Sequence, residues 1–251
     1  MKRHIGITCM AAVAGVALAA ATTAPLTAAN AGPTAKVIPL KASTMIIEYN
    51  ASAEDIGIQF FLDSDGWRTV EIFDPNGVEI FSADTEGSLT RQGGGTELFL
   101  ESVEPAIADL PFDRFFSRFP EGTYQFRARD NAGNLQRGSA EFTHEIPAGP
   151  VLITPVPLNG AECARRVPLP VVIAWEPVMT SAFDLPLDIV GYEVIVENDD
   201  VNFDVKFPAA ILELTVPDGL LEADTDYLFE VLAVAEGGNQ TITEGCFKTA
   251  R

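Results

Sequence analysis

From about residue 45 onward, apolar and polar side chains alternate in short bursts, each closed by turn-forming residues. A strand with one wet face and one buried face reads this way. The first bursts cover 45–49, 56–62, 67–73 and 78–81. Asp63-Ser64-Asp65-Gly66 and Asp74-Pro75-Asn76-Gly77 separate them, with Gly and Asn supplying positive φ and Pro fixing a turn corner. The spacing predicts an antiparallel meander. A further strand is expected over 96–103, after Gln92-Gly93-Gly94-Gly95. Three consecutive glycines predict a mobile loop rather than a ligand cradle. No helix signal or Lys-Ser/Thr pair follows them, as a phosphate-binding loop would require. Over 123–130, Tyr124, Phe126 and Ala128 point inward while Gln125, Arg127 and Arg129 point outward. Asp130-Asn131-Ala132-Gly133-Asn134 then turns the chain, and 139–146 returns.

The second half repeats the pattern at 171–175, 191–197, 203–207, 211–216 and 241–249. Its clearest strand lies within 220–235, where Tyr227, Phe229, Val231 and Ala233 share one face and Leu228, Glu230 and Leu232 the other. One stretch breaks the period of two. In 109–119, Phe112, Phe115, Phe116 and Phe119 recur at three-and-four spacing, which predicts a helix capped by Asp109 with Pro111 in its first turn. Its apolar stripe is expected to cover an open end of a sandwich, the alternative being an exposed docking surface. Ile146-Pro147-Ala148-Gly149-Pro150 reads as a short, stiff connector.

Leu221, Thr225 and Tyr227 have the spacing L-x-x-x-T-x-Y, which puts a tyrosine at a strand-entry corner where its hydroxyl can bond an upstream backbone group. Val171, Ile173 and Trp175 alternate up to Glu176-Pro177, and Tyr192, Val194 and Val196 face inward in the run GYEVIVE. Trp175, Tyr192, Leu221 and Tyr227, in that order, resemble the second strand, third strand and tyrosine corner of fibronectin type III domains. The resemblance covers about 150–251 and implies that the tryptophan packs under the tyrosine corner. It departs from the family at the cysteine pair and at the long 180–188 connection, and no Arg-Gly-Asp adhesive tripeptide occurs. The run GTYQFRARDNAGN around Tyr124 is similar to the penultimate strand and hairpin of bacterial Ig-like repeats. Tyr124 and Tyr227 stand 103 residues apart, the length of one such module. The expected fold class is all-β, with two tandem Ig-like/fibronectin type III β-sandwiches at 32–147 and 148–251 and one short helix inserted in the first.

Composition adds a compartment. Lys2 and Arg3, the alanine-rich apolar run 5–21 and the Ala29-Asn30-Ala31 site read as a secretory signal peptide over 1–31 rather than a membrane span, whose core would be longer. An exported product, secreted or periplasmic, is expected, and the alanine-rich leader leans bacterial. Without Lys2 and Arg3 the 16 basic residues become 14 against 36 acidic ones, a balance that repels nucleic acid and anionic membranes. Cys163 and Cys246, separated by 83 positions, are expected to form a disulfide. Closing that loop stabilises by up to roughly 4.5 kcal/mol in the chain-entropy picture.

Reaction chemistry is sparse. Beyond the leader His144 is the only histidine; it alternates with Phe142 and Ile146 as a half-buried strand residue would. No nucleophile motif accompanies it, and a Cys/His zinc set is excluded by count. No catalytic set is assigned. Glu97 and Glu101 flank Phe99 on one strand face with Glu104 just beyond, the kind of pairing a glycosidase uses. Asp63-Ser64-Asp65, Asp130 to Asn134 and Asn198-Asp199-Asp200 offer hard oxygens to calcium, or simple Asx turns. Trp67 is either a sugar platform or core. Asn50-Ala51-Ser52 and Asn239-Gln240-Thr241 fit the N-glycosylation acceptor pattern. The reading is a non-enzymatic binding, adhesion or surface-assembly protein with an unknown protein or glycan partner. The alternative is a polysaccharide-processing hydrolase or its carbohydrate-binding accessory.

Overall fold

The computed structural model describes residues 36–156 and 163–251. The signal-peptide reading of 1–31 lies outside the described residues. The first half carries β1 (Val37–Pro39), β2 (Ala42–Asn50), β3 (Asp55–Trp67), β4 (Thr69–Phe73), β5 (Glu79–Asp84), helix α1 (Gly87–Gln92), β6 (Gly95–Glu101), helix α2 (Phe112–Arg118), β7 (Gly122–Arg129) and β8 (Leu135–Phe142). The second half carries β9 (Leu152–Thr154), β10 (Ala164–Val167), β11 (Val172–Trp175), β12 (Ile189–Glu197), β13 (Asn202–Pro208), β14 (Glu213–Thr215), β15 (Asp226–Ala235) and β16 (Gln240–Thr249). The fold is all-β, as the alternation predicts.

The strands make three sheets: β1-β8-β7-β4-β5, β14-β11-β9, and a long sheet β13-β12-β15-β16-β2-β3-β6 with β10 also on β16. Two hydrophobic cores result. One gathers inward residues of β2, β3 and β7, among them Ile47, Ile58, Phe60, Tyr124 and Phe126. The other gathers Val171, Ile173, Trp175, Tyr192, Val194, Val196, Phe229 and Phe247. Each core is a two-layer sandwich, and the long sheet supplies one layer to both.

That sharing is not visible in the local pattern. The edge of β16 away from β15 is divided. Gln240, Thr241 and Ile242 pair in parallel with Glu48, Tyr49 and Asn50 of β2, while Phe247 to Thr249 pair with β10. The two halves therefore meet side by side in a single ladder, with 146–150 running past the seam. Ala148 N–H donates to Thr180 O at 2.9 Å and Ala182 N–H to Ile146 O at 2.9 Å. The long connection after Thr180 thus folds back onto the first half, where Phe183 packs edge-on against Phe112 at 5.0 Å and against Phe116 at 5.9 Å.

Helix α2 is where the spacing places it, and its stripe covers the end of the first core: Phe115 is buried, with Phe112, Phe116 and Phe119 packed beside it. Its start differs from expectation. Pro111 is the cap residue and no side chain caps the helix, so Asp109 does not serve.

Two turn expectations fail for a common reason. The run Asp63-Ser64-Asp65-Gly66 is not a turn but the last third of β3, which continues to Trp67. Ser64 is buried, donating to Thr96 O at 3.4 Å and accepting from Gly66 N–H at 3.2 Å, so its polarity is absorbed inside the sheet. The glycine run is not a mobile loop. Gly93 ends α1, an element the sequence does not announce, and Gly95 begins β6 under the indole of Trp67. A Cβ on Gly95 would lie 2.7 Å from Trp67 Cζ2, and one on Gly94, whose φ is +91°, would lie 1.9 Å from Trp67 O. The glycines are a seat cut to fit a buried tryptophan. Gly94→Ala is expected to cost about 2–4 kcal/mol in urea unfolding, from strain plus overlap. Gly77→Ala, at a positive φ with open space around it, should cost only about 1 kcal/mol.

Candidate functional site

The residues carrying the fibronectin-like pattern meet in one core. Trp175 is 1% exposed and its ring lies 5.3 Å from that of Tyr192. The Tyr192 hydroxyl accepts from Val178 N–H at 2.8 Å, pinning the chain just after Glu176-Pro177. The Tyr227 hydroxyl accepts from Glu222 N–H at 2.9 Å beside the buried Leu221, so it bonds back upstream as the corner spacing predicts. One detail differs: the ring against Trp175 is Tyr192, and Tyr227 instead stacks on Phe247 at 5.6 Å. In the first half the Tyr124 hydroxyl donates to Pro120 O at 3.1 Å, a second corner at the equivalent strand entry. Cys163 is bonded to Cys246, tying the start of β10 to β16.

His144 sits just after β8, its ring stacked on Phe116 at 3.9 Å and its Nε2 at 2.8 Å from Phe119 O. Two of the three oxygen-rich segments use their side-chain oxygens on their own backbone. Asp130 Oδ1 accepts from the N–H groups of Ala132 and Asn134, and Asn198 Oδ1 from those of Asp200 and Val201. Asp65 instead pairs with Lys41 at 2.7 Å. Trp67 is core, which removes the aromatic platform that a sugar site there would need.

The carboxylates are arranged by the shared sheet. Alternation in each strand turns Glu193, Glu197, Glu230, Glu244, Glu48, Glu97 and Glu101 to the outer face of the long sheet, away from both cores. Oxygens of Glu48, Glu101 and Glu104 lie within 4.8 Å of one another, while Glu97 stands apart opposite Asp63. Glu48 is buried, and Gln240 donates to it across the seam. Gln59 Nε2 donates to Glu101 at 3.3 Å. Burial first, then the charges of Glu48, Glu101 and Asp55, push Glu104 up to about 7. Burial, then Glu244, Glu197, Glu48 and Glu193, push Glu230 up to about 7 as well. Glu230 and Glu244 are direct cross-strand partners, an unfavourable pairing of like charges that a proton on Glu230 relieves. Glu48 is the residue sequence reasoning misses. Its outward position in β2 is readable, but its company across the seam is not.

No known family model matches the chain, and no curated protein sequence matches it. Among solved structures, the FN1–FN3 domains of chicken CNTN1 are similar at 10% identity and a TM-score of 0.33, over 86% of this chain and 65% of that one. A two-domain fibronectin type III segment of chicken tenascin is similar at 11% identity and a TM-score of 0.27, over 85% of this chain and 98% of that one. A bacterial ice-binding adhesin is similar at 14% identity and a TM-score of 0.24, over 86% of this chain and 65% of that one. The chain therefore spans just under two thirds of the CNTN1 and adhesin chains. Its own second half, with β14-β11-β9 packed on β13-β12-β15-β16 over a buried tryptophan and a tyrosine corner, has a fibronectin type III-like fold.

Of the two acceptor-pattern residues, Asn239 is 2% exposed. Its Oδ1 accepts from Ile47 N–H at 2.8 Å, and its Nδ2 donates to Thr143 O at 2.9 Å and Glu145 O at 3.1 Å. The amide is spent on the seam and is closed to glycan transfer in the folded chain. Asn239→Asp replaces a donor facing two carbonyls with a charge, and is expected to destabilise by about 3 kcal/mol in denaturant unfolding.

The raised carboxyls set a pH dependence. A carboxyl near 7 when folded and near 4.5 when unfolded makes the folded chain bind more protons between those values, so stability falls as pH rises through that window. Tm is expected to decline from pH 5 to pH 8. Glu104→Gln with Glu230→Gln should flatten the decline and gain about 3 °C at pH 8; an unchanged slope in the double variant would refute the assignment.

Proposed function

We propose that this is an exported, non-enzymatic binding, adhesion or surface-assembly module for a secreted or periplasmic setting. The observation that carries the reading is the long shared sheet, which joins two sandwiches into one broad platform. Around it, the side chains most capable of chemistry are occupied structurally: the cysteines with each other, His144 with Phe116 and Phe119, and Asn239 with the seam. The disulfide suits an oxidising compartment, and among the described residues no helix is long and apolar enough to cross a membrane. The acidic surface favours cationic partners over nucleic acid. No cofactor is part of this reading.

A polysaccharide-processing hydrolase, or its carbohydrate-binding accessory, is favoured by one observation, the Glu48, Glu101 and Glu104 trio with Glu104 near 7. The burial of Trp67 weighs against it. The exported chain is expected to bind saturably to members of an array of extracellular proteins and glycans, and to give no turnover across a glycosidase and esterase panel. Turnover that vanishes in Glu101→Gln and Glu104→Gln would install the hydrolase reading, and binding to nothing on the array would remove the first.

A further inference from the structure

The two outward sheet faces of the second half are unlike each other. The long sheet's outward face carries Glu193, Glu197, Glu230 and Glu244, with Leu228 among them 57% exposed. The small sheet β14-β11-β9 turns out Val172 and Ala174 of β11 and Ile153 of β9, with Ile153 50% exposed. A shallow groove of about 520 Å³ follows Ile153, Val172, Ala174, Pro177 and Leu212. A second of about 220 Å³ continues past Val151 to Met179, which is 70% exposed, and the two share Glu176 and Pro177. In a chain with a net charge of −20, a groove floored by Ile153, Val172, Ala174, Pro177 and Leu212, with Glu213 opposite Ala174 at its side, is an outlier rather than a by-product of composition.

The charges at this face are of one sign. Glu176 and Glu213 line the grooves and are exposed, and no lysine or arginine lines either. A second copy docking by the same face would bring these carboxylates towards each other, which like-charge contact disfavours. An anionic surface is repelled by the whole chain. Aliphatic side chains with cationic neighbours fit both features at once, the apolar floor and the acidic rim.

We propose that this face docks a protein segment presenting aliphatic side chains flanked by lysine or arginine, laid across β9, β11 and β14. The inference rests on the binding-module reading and names its surface and its partner's chemistry. The aliphatic contacts supply the affinity by leaving water, and Glu176 and Glu213 select the flanks and raise the association rate.

The test uses the full chain, isotope-labelled, with two synthetic twelve-residue peptides that share one leucine pattern, one flanked by lysines and the other by glutamates. The lysine peptide is expected to shift the amide signals of Ile153, Val172 and Ala174 and to bind at least tenfold more tightly than the glutamate peptide. Ile153→Asp should abolish this binding, and Glu213→Lys should weaken it at least fivefold. Both positions are exposed, and a wild-type Tm confirms that each variant folds. Equal binding of the two peptides, no binding by either, or shifts confined to the carboxylate face of the long sheet would overturn the proposal. So would sedimentation showing a dimer that Ile153→Asp dissociates, or capture by zwitterionic vesicles lost in the same variant. If the array targets of the chain bind Ile153→Asp unchanged, the groove fails and the binding reading stands. If the array yields no target, that reading fails and the peptides alone judge the groove.

Discussion

The structure depends on how β16 spends its second edge. A three-residue parallel ladder to β2 is a short contact on which to seat two sandwiches, and parallel pairing is slightly weaker per residue than antiparallel. Buried side-chain hydrogen bonds complete it. Asn239 reaches the backbone of β2 with its oxygen and the segment after β8 with its nitrogen, while Thr241 Oγ1 donates to Pro147 O at 2.6 Å. These groups lie in the interior, where an unmade hydrogen bond costs more than a made one gains. Any displacement of one half against the other would strand several of them together. The seam therefore behaves as a cooperative lock, reinforced at the far side by Phe183 on α2.

Once closed, the lock has an electrostatic consequence. It brings Glu48 of one half onto the sheet face that holds Glu230 of the other, so the charge of Glu48 adds to the burial and to the nearer carboxylates Glu244 and Glu197 in raising Glu230. Gln240 donates to Glu48 across the same ladder, offsetting part of that repulsion. The face is tolerable near neutrality because protons are held where charge alone would push the strands apart.

Much of this was legible in the residues. Period-two alternation located the inward sets around Tyr124, Trp175, Tyr192 and Tyr227, because burial on one face is a local demand that each strand meets alone. The phenylalanine spacing of α2 was legible for the same reason. What stayed hidden was decided by partners far along the chain. Asp63 to Gly66 carries turn chemistry, yet β6 pairs with Asp63 and Trp67 on either side and takes the run up as an irregularity within β3, with Ser64 bonded to Thr96 O. Gly93 to Gly95 carries the signature of a loop, yet Trp67 needs the space that side chains would fill. Asn239 carries an acceptor motif, yet Ile47, 192 positions away in sequence, claims its oxygen. In each case a tertiary contact overrides a correct local propensity. The carboxylate trio is hidden in the same way, since Glu48 and Glu101 become neighbours only through β3 lying between their strands.

The shared sheet also explains why the two outward faces of the second half can differ. The long sheet has eight strands, and on its outer face charged positions such as Glu197, Glu230 and Glu244 lie among exposed apolar ones such as Leu228 and Phe99 and keep it wet. The small sheet has only three short strands, and its central strand turns out Val172 and Ala174. The cost of leaving so small a surface apolar is slight, and a chain this acidic is already protected from self-association by net repulsion. Net charge spread over the chain thus permits an apolar groove on the small sheet. The small sheet thus offers a side on which apolar contact can be made selectively, with Glu176 and Glu213 setting the sign of what approaches it.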